Sequence, residues 1–172
     1  LPALLSVDQY GYIKVFQLYV SYVGVLHLGF CDGMYLSYGG KQIDNIDRQS
    51  LDNQRKTLQV FQLITTIVFL ALGIVLNNYI VIIIAISIYP LNFISFYSLL
   101  YQAIGEYSHY TKTINYLSTL TFFVNIILLL AGVRNYEWFI LSYAIVDYAC
   151  LLLLEKDYYN FHGRSYGKFE SS

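Results

Sequence analysis

About five runs of roughly 20 apolar residues each, nearly free of charge, leave this chain few ways to fold. A helix of about 20 residues crosses about 30 Å of hydrocarbon, and the runs predict spanning segments over about 12–38, 57–76, 79–103, 114–133 and 138–154. Helices are expected rather than strands, because a spanning segment must satisfy its own backbone and these runs are too long and too uniformly apolar for barrel strands. The fold class read from the residues is all-α: a polytopic membrane helix bundle, one partial transmembrane domain over residues 1–172. A chain 57% hydrophobic and 12% charged, with two prolines, fits neither an ordinary soluble domain nor a disordered one. Its 19 Tyr and 11 Phe supply rings that suit membrane interfaces. A net charge of -1 excludes nucleic acid as a partner, since phosphate binding needs a basic stripe. Cys31 and Cys150 lie in apolar surroundings without the spacing of a metal site or disulfide framework, and read as buried, inert thiols.

Only Asn77 and Asn78 separate the second run from the third, which forces an antiparallel hairpin. If the segments alternate, one face of the membrane receives Lys41, Arg48, Arg55, Lys56, Lys112, Lys156, Arg164 and Lys168. Arg134 falls on the other face and Lys14 inside the first segment. The positive-inside rule then makes 39–56 a cytoplasmic loop and 155–172 a cytoplasmic tail or connector. Within 39–56, either a solvated loop or a short interfacial helix with Ile43, Ile46 and Leu51 turned inward fits the pattern. This topology puts Leu1 outside with no helix to carry it there, so the chain reads as a fragment lacking at least one upstream helix.

Polar residues recur on one stripe of each segment. Wound as a continuous helix, the first segment aligns Lys14, Gln17, Ser21, Asp32 and Tyr35, the pattern of a face turned to a bundle interior or a wet cavity. The alternative is that Lys14 and Asp32 each snorkel to the nearer interface. Gln59, Gln62, Thr66 and Gly73, then Ser87, Ser95, Ser98 and Gln102, then Ser118, Thr121 and Asn125 repeat the spacing, as helix packing in lipid also requires. Pro90 predicts a kink in the third segment, a hinge in some transporters and a fixed bend in other bundles. Asp147, with Tyr143 one turn before it, is the strongest candidate for a proton-responsive or ligand-contacting group, against a structural hydrogen bond to Tyr or Ser. Glu106 and His109 read as a solvated loop, because no further ligands converge on them for a metal. His27 lies off the stripe and is expected to hydrogen-bond inside the bundle.

The stretch YGYIKVFQLYVSYVGVLHLGFCDGMYLSYGG, residues 10–40, resembles the second transmembrane helix of bacterial polysaccharide flippases. These form the oligosaccharide-transporter branch of the multidrug/oligosaccharidyl-lipid/polysaccharide exporter superfamily. The matching residues are Leu28, Gly29, Asp32, Gly33, Tyr35, Leu36, Tyr38, Gly39 and Gly40. Gly29 and Gly33 would form a close-approach face, and Gly39-Gly40 would end the helix at the cytoplasmic surface. The resemblance implies about five helices, two to six, of a larger bundle of twelve to fourteen. It implies a multi-pass protein of the bacterial cytoplasmic membrane, not an enzyme and needing no cofactor. Its substrate would be an oligosaccharide on undecaprenyl pyrophosphate, flipped by alternating access for surface polysaccharide such as lipopolysaccharide or capsule. Its partners would be membrane lipids, the remaining helices and other polysaccharide-assembly proteins. Substrate-pathway candidates are Lys14, Gln17, Ser21, Asp32 and Asp147; packing and hinge candidates are Gly29, Gly33, Gly39, Gly40 and Pro90.

Three other readings compete. A drug/cation antiporter of the same superfamily would use Asp32 or Asp147 as its ion site. A membrane-embedded polysaccharide polymerase would need a large outer loop or clustered Arg, His and Glu, and the outer loops here are short. A purely structural polytopic subunit would tolerate loss of either carboxylate.

Overall fold

The computed structural model describes residues 5–42 and 45–169, with side chains as far as residue 160. Every described element is helical: α1 (Val7–Ser21), a 3-10 turn (Val23–His27), α2 (Phe30–Tyr38), α3 (Arg48–Val75), α4 (Tyr79–Ala103), α5 (Tyr107–Leu130) and α6 (Tyr136–Phe169). Four of these helices are long and apolar enough to cross a membrane alone, and α1 with its 3-10 turn and α2 can count as a broken fifth span.

The first span is not the continuous helix expected over 12–38. It bends by 58° between its halves. Leu28 (φ 50°) and Gly29 (φ 75°) take left-handed backbone there. A non-glycine residue pays about 1–2 kcal/mol for that conformation, which Gly29 adopts freely, so the break is local and specific. The stripe wound through Lys14 and Asp32 is therefore interrupted.

α3 also differs from expectation. Asp47 accepts from the Gln49 N–H at 3.0 Å, and helix runs from Arg48 onward, so the loop is confined to 39–47. Ile46 and Leu51 are buried, as the amphipathic reading required, whereas Ile43 lies outside the described residues. α3 stops in a Schellman turn: Asn77 stands at φ 48°, its N–H donates to Ile74 O at 3.1 Å, and the Asn78 N–H donates to Gly73 O at 3.0 Å. Asn78 then starts α4, its side chain accepting from the Ile80 and Val81 N–H groups at 3.0 and 3.3 Å. α4 has the expected bounds. α5 begins before the expected 114, at Tyr107, and α6 continues past 154 as helix where a connector was expected.

α4 is the centre of the bundle and touches α1, the 3-10 turn, α2, α3, α5 and α6. It passes through Pro90 without interruption. Proline offers no N–H to the Ile86 carbonyl one turn back, and the Tyr148 hydroxyl of α6 donates to that carbonyl instead, at 3.2 Å. One apolar cluster, including Met34, Leu58, Phe96 and Tyr97, lies at the end where α6 meets Arg55. The other, including Phe16, Ile84 and Phe139, adjoins an aromatic end where Tyr12 stacks on Tyr136 at 4.7 Å. By contrast α5 buries one residue, Thr113, and most of α3 faces outward. Cys31 and Cys150 are free and buried.

Candidate functional site

α1, α4, α5 and α6 line an open cavity of about 340 Å³. Gln17 comes from α1, Ser118 and Thr121 from α5, and Tyr143 and Asp147 from α6, with Phe16, Val20, Leu91 and Leu117 as the apolar wall. Residues of three polar stripes thus meet at one opening, with Asp147 buried, Gln17, Thr121 and Tyr143 half-buried and Ser118 exposed. The Gln17 amide donates to the Tyr143 hydroxyl at 2.8 Å, and Lys14 Nζ donates to the Gln17 carbonyl oxygen at 3.0 Å. Lys14 also stands 5.3 Å from the centre of the Tyr10 ring. An exposed cation is thereby linked through one amide to the cavity wall.

Asp147 is 6% exposed and lies on that wall. Its carboxyl sits beside the buried Ser87 hydroxyl, which has no well-formed hydrogen bond. Thr121 donates to its own helix at Leu117 O, 2.8 Å, so toward the cavity it offers an acceptor. Donors from Gln17 and Tyr143 and acceptors from Thr121 and Asp147 suit a ligand rich in hydroxyl groups, and the carboxyl can also take a proton.

Not every sequence candidate joins this site. Ser21 is exposed and donates to Leu18 O at 2.6 Å, on its own helix. Asp32 is exposed beyond the break, away from the cavity lining. A methyl group at Gly29 or Gly33 meets nothing within 4 Å, so the expected close-approach face is not used among the described residues. Gly39 and Gly40 do end α2, and the Gly40 N–H donates to Ala103 O at 2.9 Å. Pro90 is buried within α4. His27 is half-buried and its Nδ1 has no partner among the described residues, contrary to the expected bond. Glu106 lies in the α4–α5 connection as expected, at the position before α5, but His109 is inside α5, where it pairs with Asp157 of α6 at 2.5 Å and stacks on Tyr101. No three His, Cys, Asp or Glu side chains converge as for a metal among the described residues.

One polar group escaped the sequence reading. Asn92, fully buried in α4, donates to the Gln62 carbonyl oxygen at 2.8 Å, and the Gln62 amide reaches Leu26 O at 3.4 Å. Leu26 lies in the 3-10 turn, where interrupted helix frees carbonyls that lipid cannot satisfy. An amide in the middle of a long apolar run was the available signal, since it must find a partner there. Asn92→Leu and Gln62→Leu are each expected to lower the melting point, with a coupling of about 0.6–1.7 kcal/mol in the double mutant. Strictly additive effects in thermal melts of the purified protein would dismiss the pair.

No family model, curated protein or solved structure matches this chain, so any functional reading rests on its residues and their arrangement.

Proposed function

We propose that this chain is part of a flippase that moves a lipid-linked oligosaccharide, carried on undecaprenyl pyrophosphate, across the bacterial cytoplasmic membrane. The observation that carries the reading is the cavity between α1, α4, α5 and α6, whose polar wall combines Gln17, Ser118, Thr121, Tyr143 and Asp147. A sugar cannot enter hydrocarbon bare, and such a wall replaces part of its water while the lipid tail stays outside. The flippase-like residues 28–40 support the same reading. So does Lys14, joined to the wall through Gln17, as a counter-charge for pyrophosphate. Transport would proceed by alternating access of this bundle against the rest of the transporter.

Deleting the gene's full reading frame tests this. The expected result is lipid-linked oligosaccharide accumulating on the cytoplasmic leaflet while surface polysaccharide disappears. Unchanged polysaccharide with altered drug or cation sensitivity would instead establish the antiporter, with Asp147 as its ion site.

A further inference from the structure

We propose that the cleft between α5 and α6, on the end of the bundle opposite Tyr12 and Tyr136, seats the phosphate of an anionic membrane lipid. The cleft has a volume of about 180 Å³ and is lined by Lys112 and Tyr116 of α5 and by Leu153, Lys156, Asp157 and Asn160 of α6. Lys112 and Tyr116 are one turn apart. Leu153, Lys156, Asp157 and Asn160 share one face of α6 at 3/4 spacing, so the two helices bring both ammonium groups to one opening. The carboxylate in the same lining is already engaged: Asp157 pairs with His109 at 2.5 Å and lies against Tyr101. Neither lysine has an ion-pair partner among the described residues, and both are exposed. Positive charge is thus left over at a point where the helices pass from apolar to polar sequence.

The occupant follows from that position. Lys112 precedes the apolar run that starts at Ile114, and Lys156 follows Leu151–Leu154, which sets the cleft at headgroup depth. Leu153 lines the cleft and is exposed, as is Leu152 next to it in the chain, surfaces suited to acyl chains and not to a soluble anion. Tyr116 and Asn160 add hydrogen-bonding groups for phosphate or glycerol oxygens. Basic recesses between transmembrane helices recognise anionic headgroups by this combination. The site is separate from the intramembrane cavity and does not depend on the transport reading.

The test uses the full-length protein, purified in detergent doped with equal phosphatidylglycerol and phosphatidylcholine, with retained lipid read by native mass spectrometry. The wild type is expected to retain phosphatidylglycerol preferentially. Each lysine contributes about fivefold, so K112Q/K156Q is expected to lose about 25-fold while K112R/K156R keeps most of the preference. K41Q/K56Q, which removes two exposed lysines outside the cleft, is expected to change little. Equal loss in K41Q/K56Q would show a diffuse surface potential and overturn the proposal, as would unchanged retention in K112Q/K156Q. Displacement of the lipid by millimolar inorganic phosphate would also overturn it, in favour of a soluble-anion site.

Discussion

Gly73→Leu is expected to leave little folded protein in the membrane, with the surviving fraction melting well below the wild type. A Cβ at Gly73 would stand 2.9 Å from Ile82 Cγ1, 3.0 Å from Ile82 N and 3.2 Å from Ile82 Cα. Two of those three atoms are backbone of α4, so a rotamer change cannot relieve the contact; α3 and α4 must separate. Overpacking a tight interface costs about 1–3 kcal/mol even where side chains can yield, and here more is at stake. Helices in lipid gain no hydrophobic term from meeting each other, so close packing of this kind is much of what joins them. The Schellman turn at Asn77, whose 6→1 bond ends on Gly73 O, would be displaced as well. Gly33→Leu is the control: its Cβ meets nothing within 4 Å, and a change of no more than about 0.5 kcal/mol is expected. Size-exclusion profiles and thermal melts of the two variants decide the matter. The reverse result, Gly33→Leu failing and Gly73→Leu folding, would show that the Gly29–Gly33 face meets a helix and that the α3–α4 contact is looser than described.

That contrast shows where sequence was sufficient. Hydropathy located the spans because lipid forces each one to close its own hydrogen bonds, and the bounds of α4 follow from Asn78 and the length of the run. Hydropathy is blind to a break inside an apolar stretch, so the bend at Leu28 and Gly29 was missed, although L-G ahead of a new helix start was its trace. Apolar runs also mark the hydrocarbon, not the helix, which is why α3 and α6 extend into polar sequence at Arg48–Lys56 and beyond Leu154. Periodicity put Gln17 on one stripe with Ser21 and Asp32, and Ser118 on another with Thr121, but only the packed helices show that Gln17, Ser118, Thr121 and Asp147 line one cavity while Ser21 and Asp32 do not. His109 and Asp157 illustrate the same limit: no spacing rule connects residues 48 apart.

Asp147→Leu should separate function from stability. An aspartate at the centre of a spanning helix costs about 2.5–3.5 kcal/mol on insertion scales, whereas leucine is favourable there. Asp147 is 6% exposed, and the buried Ser87 hydroxyl beside it makes no well-formed hydrogen bond. A residue retained for packing alone would not be chosen so expensively, so replacing it with leucine is expected to keep or raise abundance and melting temperature. If the cavity is the transport path, the same variant removes the carboxyl group from a wall shared with Gln17, Thr121 and Tyr143. Surface polysaccharide is then expected to fall at least tenfold at equal protein level. Asp147→Asn preserves shape and hydrogen-bonding capacity but cannot exchange a proton with the cavity. Loss in both variants assigns the requirement to the charge or its proton; loss in Asp147→Leu alone assigns it to hydrogen bonding with the sugar. Wild-type polysaccharide in both, at equal abundance, would remove this cavity from the pathway and leave Asp147 a structural residue.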